Sequence, residues 1–266
     1  MELDAQNAPA AKVAAVTGGA SGLGAAVVAQ LAHLGYRVAV MDIQTDAARQ
    51  LVDELNGKKP ASALAVTIDV SNPESVDAAF GVAEQHFGKA VDVLVNSAGI
   101  MPVAAVMACT YDMFRKTMEV NVGGAFLCSQ RAAKGMLAQS YGRIVNLASI
   151  SSERAGVGRV AYGTSKTAIT GLTRQFAMEL AGNGITVNAV GPGPVVTPMT
   201  EKNYTPETRK AFEATIPARR LGEAHEIASA IVYLCSDGAA FINGVFLPVD
   251  GGYLAAGVGT TAGIKA

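Results

Sequence analysis

Lys12-Val-Ala-Ala-Val-Thr17-Gly18-Gly-Ala-Ser21-Gly22-Leu23-Gly24, then an alanine-rich run from Ala25 to Leu34, then Gly35 and Tyr36-Arg-Val-Ala-Val-Met-Asp42, is the stretch that decides the fold. A short apolar strand runs straight into a glycine-rich turn. A helix follows and is stopped by Gly35, and a second strand ends in an acid. That order opens a dinucleotide-binding βαβ unit. Glycines let the backbone approach a pyrophosphate, and a helix N-terminus favours negative charge there. The spacing is Gly-x-x-x-Gly-x-Gly, over Gly18, Gly22 and Gly24, not the common Gly-x-Gly-x-x-Gly. By spacing alone an ordinary glycine turn competes with this reading, so the rest of the chain has to decide.

Working outward, the alternation continues. Asp46 to Leu55 reads as a helix and Ala63 to Val70 as a strand. Asn72 to Phe87 reads as a helix with Pro73 in its first turn, a favoured place for proline. Val91 to Asn96 is a strand, Tyr111 to Gln139 one long helix, and Gly142 to Ser149 a strand. Val160 to Leu180 is a helix with Ile169, Leu172, Phe176 and Leu180 on one stripe. Ile185 to Val190 is a strand, Glu223 to Cys235 a helix and Val245 to Val249 a last strand. Seven short apolar strands alternating with helices predict an α/β, doubly wound Rossmann-type fold: a seven-stranded parallel sheet with helices on both faces. There is no repeat and no linker, so residues 12–266 are expected to form a single domain. Residues 1–11 are polar and acidic and read as a flexible tail; they lack the basic and apolar regions of a secretory signal.

Composition narrows the function. Net charge is −1 with no basic block, which argues against nucleic acid as a partner. No run reaches the ~18 uninterrupted apolar residues of a membrane span, so no membrane association is expected. Cys109, Cys128 and Cys235 are odd in number and far apart. They show neither a metal-binding spacing nor a disulfide framework, so no metal is expected and the chain suits a reducing, cytoplasmic setting.

A second informative stretch runs from Ser149 to Lys166. It leaves a strand and enters a helix on which Tyr162 and Lys166 are four apart, on one face. A nearby ammonium favours the phenolate, so it is expected to lower the tyrosine pKa from its reference of about 10. Ser149, at the strand end, can offer a hydroxyl to the same substrate oxygen. Alone, Tyr-x-x-x-Lys also fits an amphipathic helix with a half-buried tyrosine and a solvated lysine. Farther on, Gly191-Pro-Gly-Pro-Val-Val-Thr-Pro198 is too rich in proline and glycine for helix or strand. The segment after it, about 199–220, leaves the carboxyl end of the sixth strand, where ligands bind in doubly wound sheets. It is expected to be a mobile substrate lid.

Taken together the motifs resemble those of the short-chain dehydrogenases/reductases, from about Lys12 to Gly252. The matching stretches are Thr17 to Gly24, Asp69-Val70, Asn96-Ser-Ala98-Gly99, Asn121-Val122, Ser149, Tyr162-Gly-Thr-Ser-Lys166, Pro192-Gly193-Pro-Val195-Val-Thr197 and Asp250-Gly-Gly252. The resemblance implies a nicotinamide cofactor and a catalytic group of Asn121, Ser149, Tyr162 and Lys166. Tyr162 would be general acid in reduction and base in oxidation, and Ser149 would hold the substrate oxygen. Lys166 would bind the nicotinamide ribose and tune Tyr162, and Asn121 would anchor a water in a proton relay. The glycine turn with Ser21 and Leu23 would hold the pyrophosphate. Asp69 and Val70 would sit by the adenine, Asn96, Ala98 and Gly99 along its ribose, and Pro192, Val195 and Thr197 at the carboxamide or phosphate end. Ser97 departs from the second asparagine of many relatives. Asp250 to Gly252 would be structural. Relatives are often tetramers, and Gly163, Thr167, Thr170, Arg174 and Ala177 offer a mostly small-residue face for close helix packing, so a homotetramer is expected.

The function expected is reversible oxidation of a secondary alcohol to a ketone with a small-molecule substrate. Asp42 ends the second strand, where an acid accepts from ribose hydroxyls and repels an added phosphate, so NAD(H) is expected over NADP(H). The alternatives are a 3-oxoacyl thioester reductase acting on an acyl carrier and a non-catalytic NAD(H)-binding sensor or scaffold. Candidate substrate residues are Ser151, Glu153, Val157, Gly193, Met199 and Tyr204.

Overall fold

The computed structural model describes residues 11–256; the expected tail, Ala11 apart, and the chain from residue 257 lie outside them. The elements in order are β1 (Val13–Thr17), α1 (Gly22–His33), β2 (Arg37–Asp42), α2 (Thr45–Lys58), β3 (Ala63–Thr67), α3 (Pro73–Phe87), β4 (Val93–Asn96), α4 (Tyr111–Met118) and α5 (Gly124–Ala138). They continue with β5 (Gly142–Leu147), α6 (Val160–Leu180), β6 (Ile185–Pro192), α7 (Pro198–Asn203), α8 (Pro206–Thr215), α9 (Ala224–Leu234) and β7 (Phe246–Val249).

The seven strands form one sheet in the order β3-β2-β1-β4-β5-β6-β7, and every pairing is parallel. The strands from β1 to β5 are short and almost wholly apolar because both of their faces are covered. Along β1, Ala14 and Val16 pack with Val27, Val28 and Leu31 of α1 and Ile227 and Ile231 of α9. Val13 and Ala15 point the other way, to Phe80 of α3 and Cys128 and Met136 of α5. The strand order reverses direction between β1 and β4, which opens a crevice at their carboxyl ends. Among the described residues no helix is long and apolar enough to cross a membrane.

Three segments differ from the sequence reading. Tyr111 to Gln139 is not one helix: a π turn over Glu119–Gly123 separates α4 from α5. The extra residue lets the buried Asn121 side chain face Ile100, whose N–H it accepts at 2.8 Å and whose carbonyl it binds at 3.0 Å. Gly191 and Pro192 belong to β6 despite their poor strand propensity, since β7 pairs alongside them. The segment after Thr197 folds as two short helices. Thr197 and Thr205 cap them, and Pro198 and Pro206 fill their first positions, where the missing N–H does no harm.

The proposed tetramer face is partly used within the chain itself. Thr170 and Ala177 are buried, and the Thr170 hydroxyl donates to the Thr167 carbonyl.

Candidate active site

The crevice at the carboxyl ends of the strands widens into a cleft of about 530 Å³. One end lies at β2 and β3. There Asp42 is buried and its two oxygens accept the N–H groups of Ala20 (3.0 Å) and Gln44 (2.9 Å). Asp42 does not cap α2, whose N-cap is Gln44, so the carboxylate faces the cleft with lone pairs to spare. Asp69 and Val70 line the same end. Asp69 accepts the N–H and hydroxyl of Ser71 (2.9 and 2.7 Å), and these bonds hold its carboxyl below the usual range.

The middle is the turn from β1 to α1. Gly18 and Gly22 have positive φ, 62° and 54°, which side chains rarely tolerate. A Cβ on Gly18 would come within 2.8 Å of the Ala98 backbone, and one on Gly24 within 2.0 Å of the Gly18 carbonyl oxygen. Gly24 therefore does not line the cleft; it lets α1 sit against the turn. Ser21 makes no side-chain cap to α1, and the first turn carries no acid. Its N–H groups and positive dipole end are left for an anion from outside the chain. Across the cleft, Thr17 Oγ1 accepts the N–H groups of Ser97 and Ala98 (3.2 and 3.3 Å) and fixes the turn after β4. With Asp42 at one end and this anion cradle in the middle, the residues present fit a dinucleotide.

The far end gathers Ser149, Tyr162 and Lys166. Ser149 follows β5, and its Oγ accepts the Ser151 N–H at 3.1 Å. Tyr162 and Lys166 share a face of α6, with the ammonium 5.7 Å from the Tyr162 ring centroid. Lys166 is buried and donates to the Leu147 carbonyl at 2.6 Å. Gly99 presses close to it; a Cβ there would lie 3.2 Å from Asn121 Oδ1 and 3.8 Å from Lys166 Nζ. Asn121 sits behind this group, and its amide also donates to Ser165 Oγ at 2.9 Å.

The electrostatics of the site reverse the expectation for Tyr162. Burial raises the phenol above the ordinary tyrosine range, while the Ser149 hydroxyl and the Arg159 charge pull it back. Burial also lowers the Lys166 ammonium, to about 8. Lys166 is turned to Leu147, and the positive group that acts on the phenol is Arg159.

Most residues singled out from the sequence do line the cleft: Gly18, Ser21, Gly22, Leu23, Asp42, Asp69, Val70, Ala98, Gly99, Ser149, Tyr162 and Lys166, and from the later segments Ser151, Pro192, Gly193, Val195, Thr197, Met199 and Tyr204. Others do not. The Asn96 side chain points into the core, where it donates to Ser129 Oγ (2.9 Å) and Asn146 Oδ1 (2.8 Å), and Asn146 in turn donates to Thr173 (3.0 Å). Glu153 and Val157 lie outside the cleft, and Val157 is 99% exposed. The sequence reading missed Arg154, Arg159, Phe212 and Tyr253, all of which line it. Arg159 was legible, three residues before Tyr162 and so one helical turn away. Tyr253 was not, because only the turn after β7 brings it beside Phe212, ring centroids 6.4 Å apart.

A doubly wound sheet with a glycine cradle and a Ser-Tyr-Lys cluster at its carboxyl edge defines a nucleotide-dependent oxidoreductase class, and sequence comparison agrees. The family described as enoyl-(acyl carrier protein) reductase matches residues 18–254. D-Threitol dehydrogenase of Mycolicibacterium smegmatis is 38% identical over 242 residues, 91% of this chain and 92% of that protein. A 3-oxoacyl-[acyl-carrier-protein] reductase of Vibrio cholerae is 38% identical over 243 residues, 91% and 96% of the two chains. The solved structure of levodione reductase is similar with a TM-score of 0.89 and 32% identity, covering 92% of this chain and 98% of that one. Other relatives are named for NAD and for NADPH. The chain belongs to the short-chain dehydrogenase/reductase family and is an oxidoreductase of that family.

The Asn96 finding has a direct check. Asn96→Ala takes the donor away from buried Asn146 Oδ1 and Ser129 Oγ, so it should lower unfolding free energy by about 1–3 kcal/mol in urea titration while cofactor affinity stays within about threefold. A large loss of affinity at unchanged stability would restore Asn96 to the cofactor site.

Proposed function

We propose that the protein interconverts a secondary alcohol and a ketone with NAD(H). The observation that carries this reading is the convergence of Ser149, Tyr162 and Lys166 at the end of β5, in the same cleft as the glycine cradle and Asp42. The nicotinamide, when bound, supplies the capacity to accept or give up a hydride. The chain supplies position and a proton. Ser149 Oγ accepts from Ser151, so its own hydrogen points to the Tyr162 side of the site, where it is available to a substrate oxygen that meets the phenol. Tyr162 gives that oxygen a proton in reduction and removes it in oxidation. Lys166 donates one N–H to Leu147 and keeps two for ribose hydroxyls. Asn121 would anchor a relay water behind Lys166, and its side chain is held in place by Ile100 and Ser165.

The raised phenol adds a feature to this account. Burial keeps the Tyr162 proton on the phenol, and an oxidised nicotinamide held in this cleft would add a positive charge that favours the phenolate. Met199 to Arg220, with Met199, Tyr204 and Phe212 on the cleft, acts as the lid over the substrate. The same reading takes the molecule as a cytosolic homotetramer.

Two other readings remain in view. The family description and the Vibrio cholerae relative favour an acyl-carrier 3-oxoacyl reductase. Against it, such reductases commonly carry a basic residue where this chain has Ser21, and they use NADPH. A non-catalytic sensor has no need of Ser149, Tyr162, Lys166 and Asn121 together.

Tyr162→Phe should bind NADH nearly as wild type does and lose about 10²–10⁴ in kcat. A Phe variant that keeps a third of wild-type turnover contradicts the role. Cofactor choice rests on Asp42. At ~4 Å and an effective dielectric of ~20, a phosphate charge beside it costs about 4 kcal/mol, which screening at the cleft mouth reduces to roughly 2. Arg37 lies at the opposite end of β2 and Ser21 is neutral, so neither compensates. Wild type should therefore favour NAD over NADP by tens-fold or more. Asp42→Ser should relax that preference with kcat little changed; higher kcat/KM for NADPH in wild type would overturn the assignment and promote the acyl-carrier reading.

A further inference from the structure

Charge is divided along the cleft. Among the described residues its carboxylates, Asp42 and Asp69, lie at the β2–β3 end, where Lys116 acts on Asp69, and the end around Tyr162 is lined by Arg154, Arg159 and Lys166 without an acid. Two of these three cations have partners. Lys166 donates to Leu147, and Arg154 donates to the Tyr253 carbonyl (3.3 Å) and lies over its ring at 5.2 Å.

Arg159 is different. It has no ion pair among the described residues, and its buried Nη1 has no hydrogen-bond partner. Its guanidinium carbon is 5.9 Å from the Tyr162 ring centroid. A buried guanidinium N–H without an acceptor is unfavourable in a finished structure and calls for an explanation. An acceptor that arrives with the substrate provides one, and the planar fork of arginine matches a carboxylate with two parallel bonds. The same cleft is lined by Met101, Met199, Tyr204 and Phe212, which suit a small apolar body.

We propose that the substrate is an anion, a short hydroxy acid or its oxo acid, whose carboxylate pairs with Arg159 while its carbinol or carbonyl carbon faces Tyr162. The closeness of the two side chains requires the carboxylate and the reacting carbon to be only a few bonds apart. This inference rests on the oxidoreductase reading and names its substrate class.

Arg159 also acts on the Tyr162 phenol, so loss of activity in an Arg159 variant would by itself be ambiguous. The ratio between a charged and a neutral ketone separates the two roles, because a change in the phenol affects both substrates alike. The test is NADH-driven reduction of matched pairs: pyruvate and pyruvamide, acetoacetate and acetoacetamide, levulinate and levulinamide. In wild type at least one carboxylate should exceed its amide in kcat/KM by about ten- to a hundredfold, the usual worth of a charge-assisted pair. Arg159→Leu should bring that ratio close to one, and Arg159→Lys should keep part of it. A ratio unchanged in Arg159→Leu, or no carboxylate preference in a wild-type enzyme that reduces the neutral ketones, overturns this inference and leaves the oxidoreductase reading intact. If no ketone of either kind is reduced, both fall.

Discussion

Lys166 places an ammonium where little water reaches it, and the geometry of the site depends on how that group is held. Its hydrogen bond to the Leu147 carbonyl ties α6 to the end of β5. Two further bonds fix the same turn of helix: Ser152 Oγ donates to the Lys166 carbonyl at 2.8 Å, and Asn121 donates to Ser165 at 2.9 Å. Tyr162 stands one turn before Lys166, so these bonds set where the phenol meets Ser149. The desolvation that lowers the lysine to about 8 also raises the phenol. Position and protonation state thus have one cause, the enclosure of this corner by β5, α6 and the π turn.

The fold was legible because the sheet is covered on both faces. Each central strand is then an apolar run bounded by turn residues, and alternation with helices leaves few other topologies. Gly18, Gly22 and Gly24 were legible for a related reason, since only glycine meets the positive φ angles and close approaches of that turn. Three features were hidden in the sequence. The π turn at Glu119–Gly123 arises from what Asn121 touches across space, and local propensity reads straight through it. Asn96 has its expected place in the chain, but strand register sends its side chain to Asn146 and not to the cleft. Thr197-Pro198 and Thr205-Pro206 carry ordinary helix-start chemistry, and a reading weighted toward proline as a breaker passed over both.

The substrate end was the least legible part, because three separated segments build it. Arg154 and Arg159 come from the loop before α6, Met199 to Phe212 from the two short helices, and Tyr253 from the turn after β7. Glu153 is the one acid among the substrate residues expected from sequence; the structure turns it out and sets arginines there instead.

On the proposed function, Tyr162 would hold its proton in the free protein and release it more readily with oxidised cofactor bound. Ultraviolet difference titration of tyrosinate, wild type against a variant lacking the Tyr162 hydroxyl, with and without NAD, tests it without knowledge of the substrate. The expected result is one tyrosine that ionises above the free value of about 10 in the unliganded protein and below it in the NAD complex. A Tyr162 titration that stays above that value in both states would contradict it.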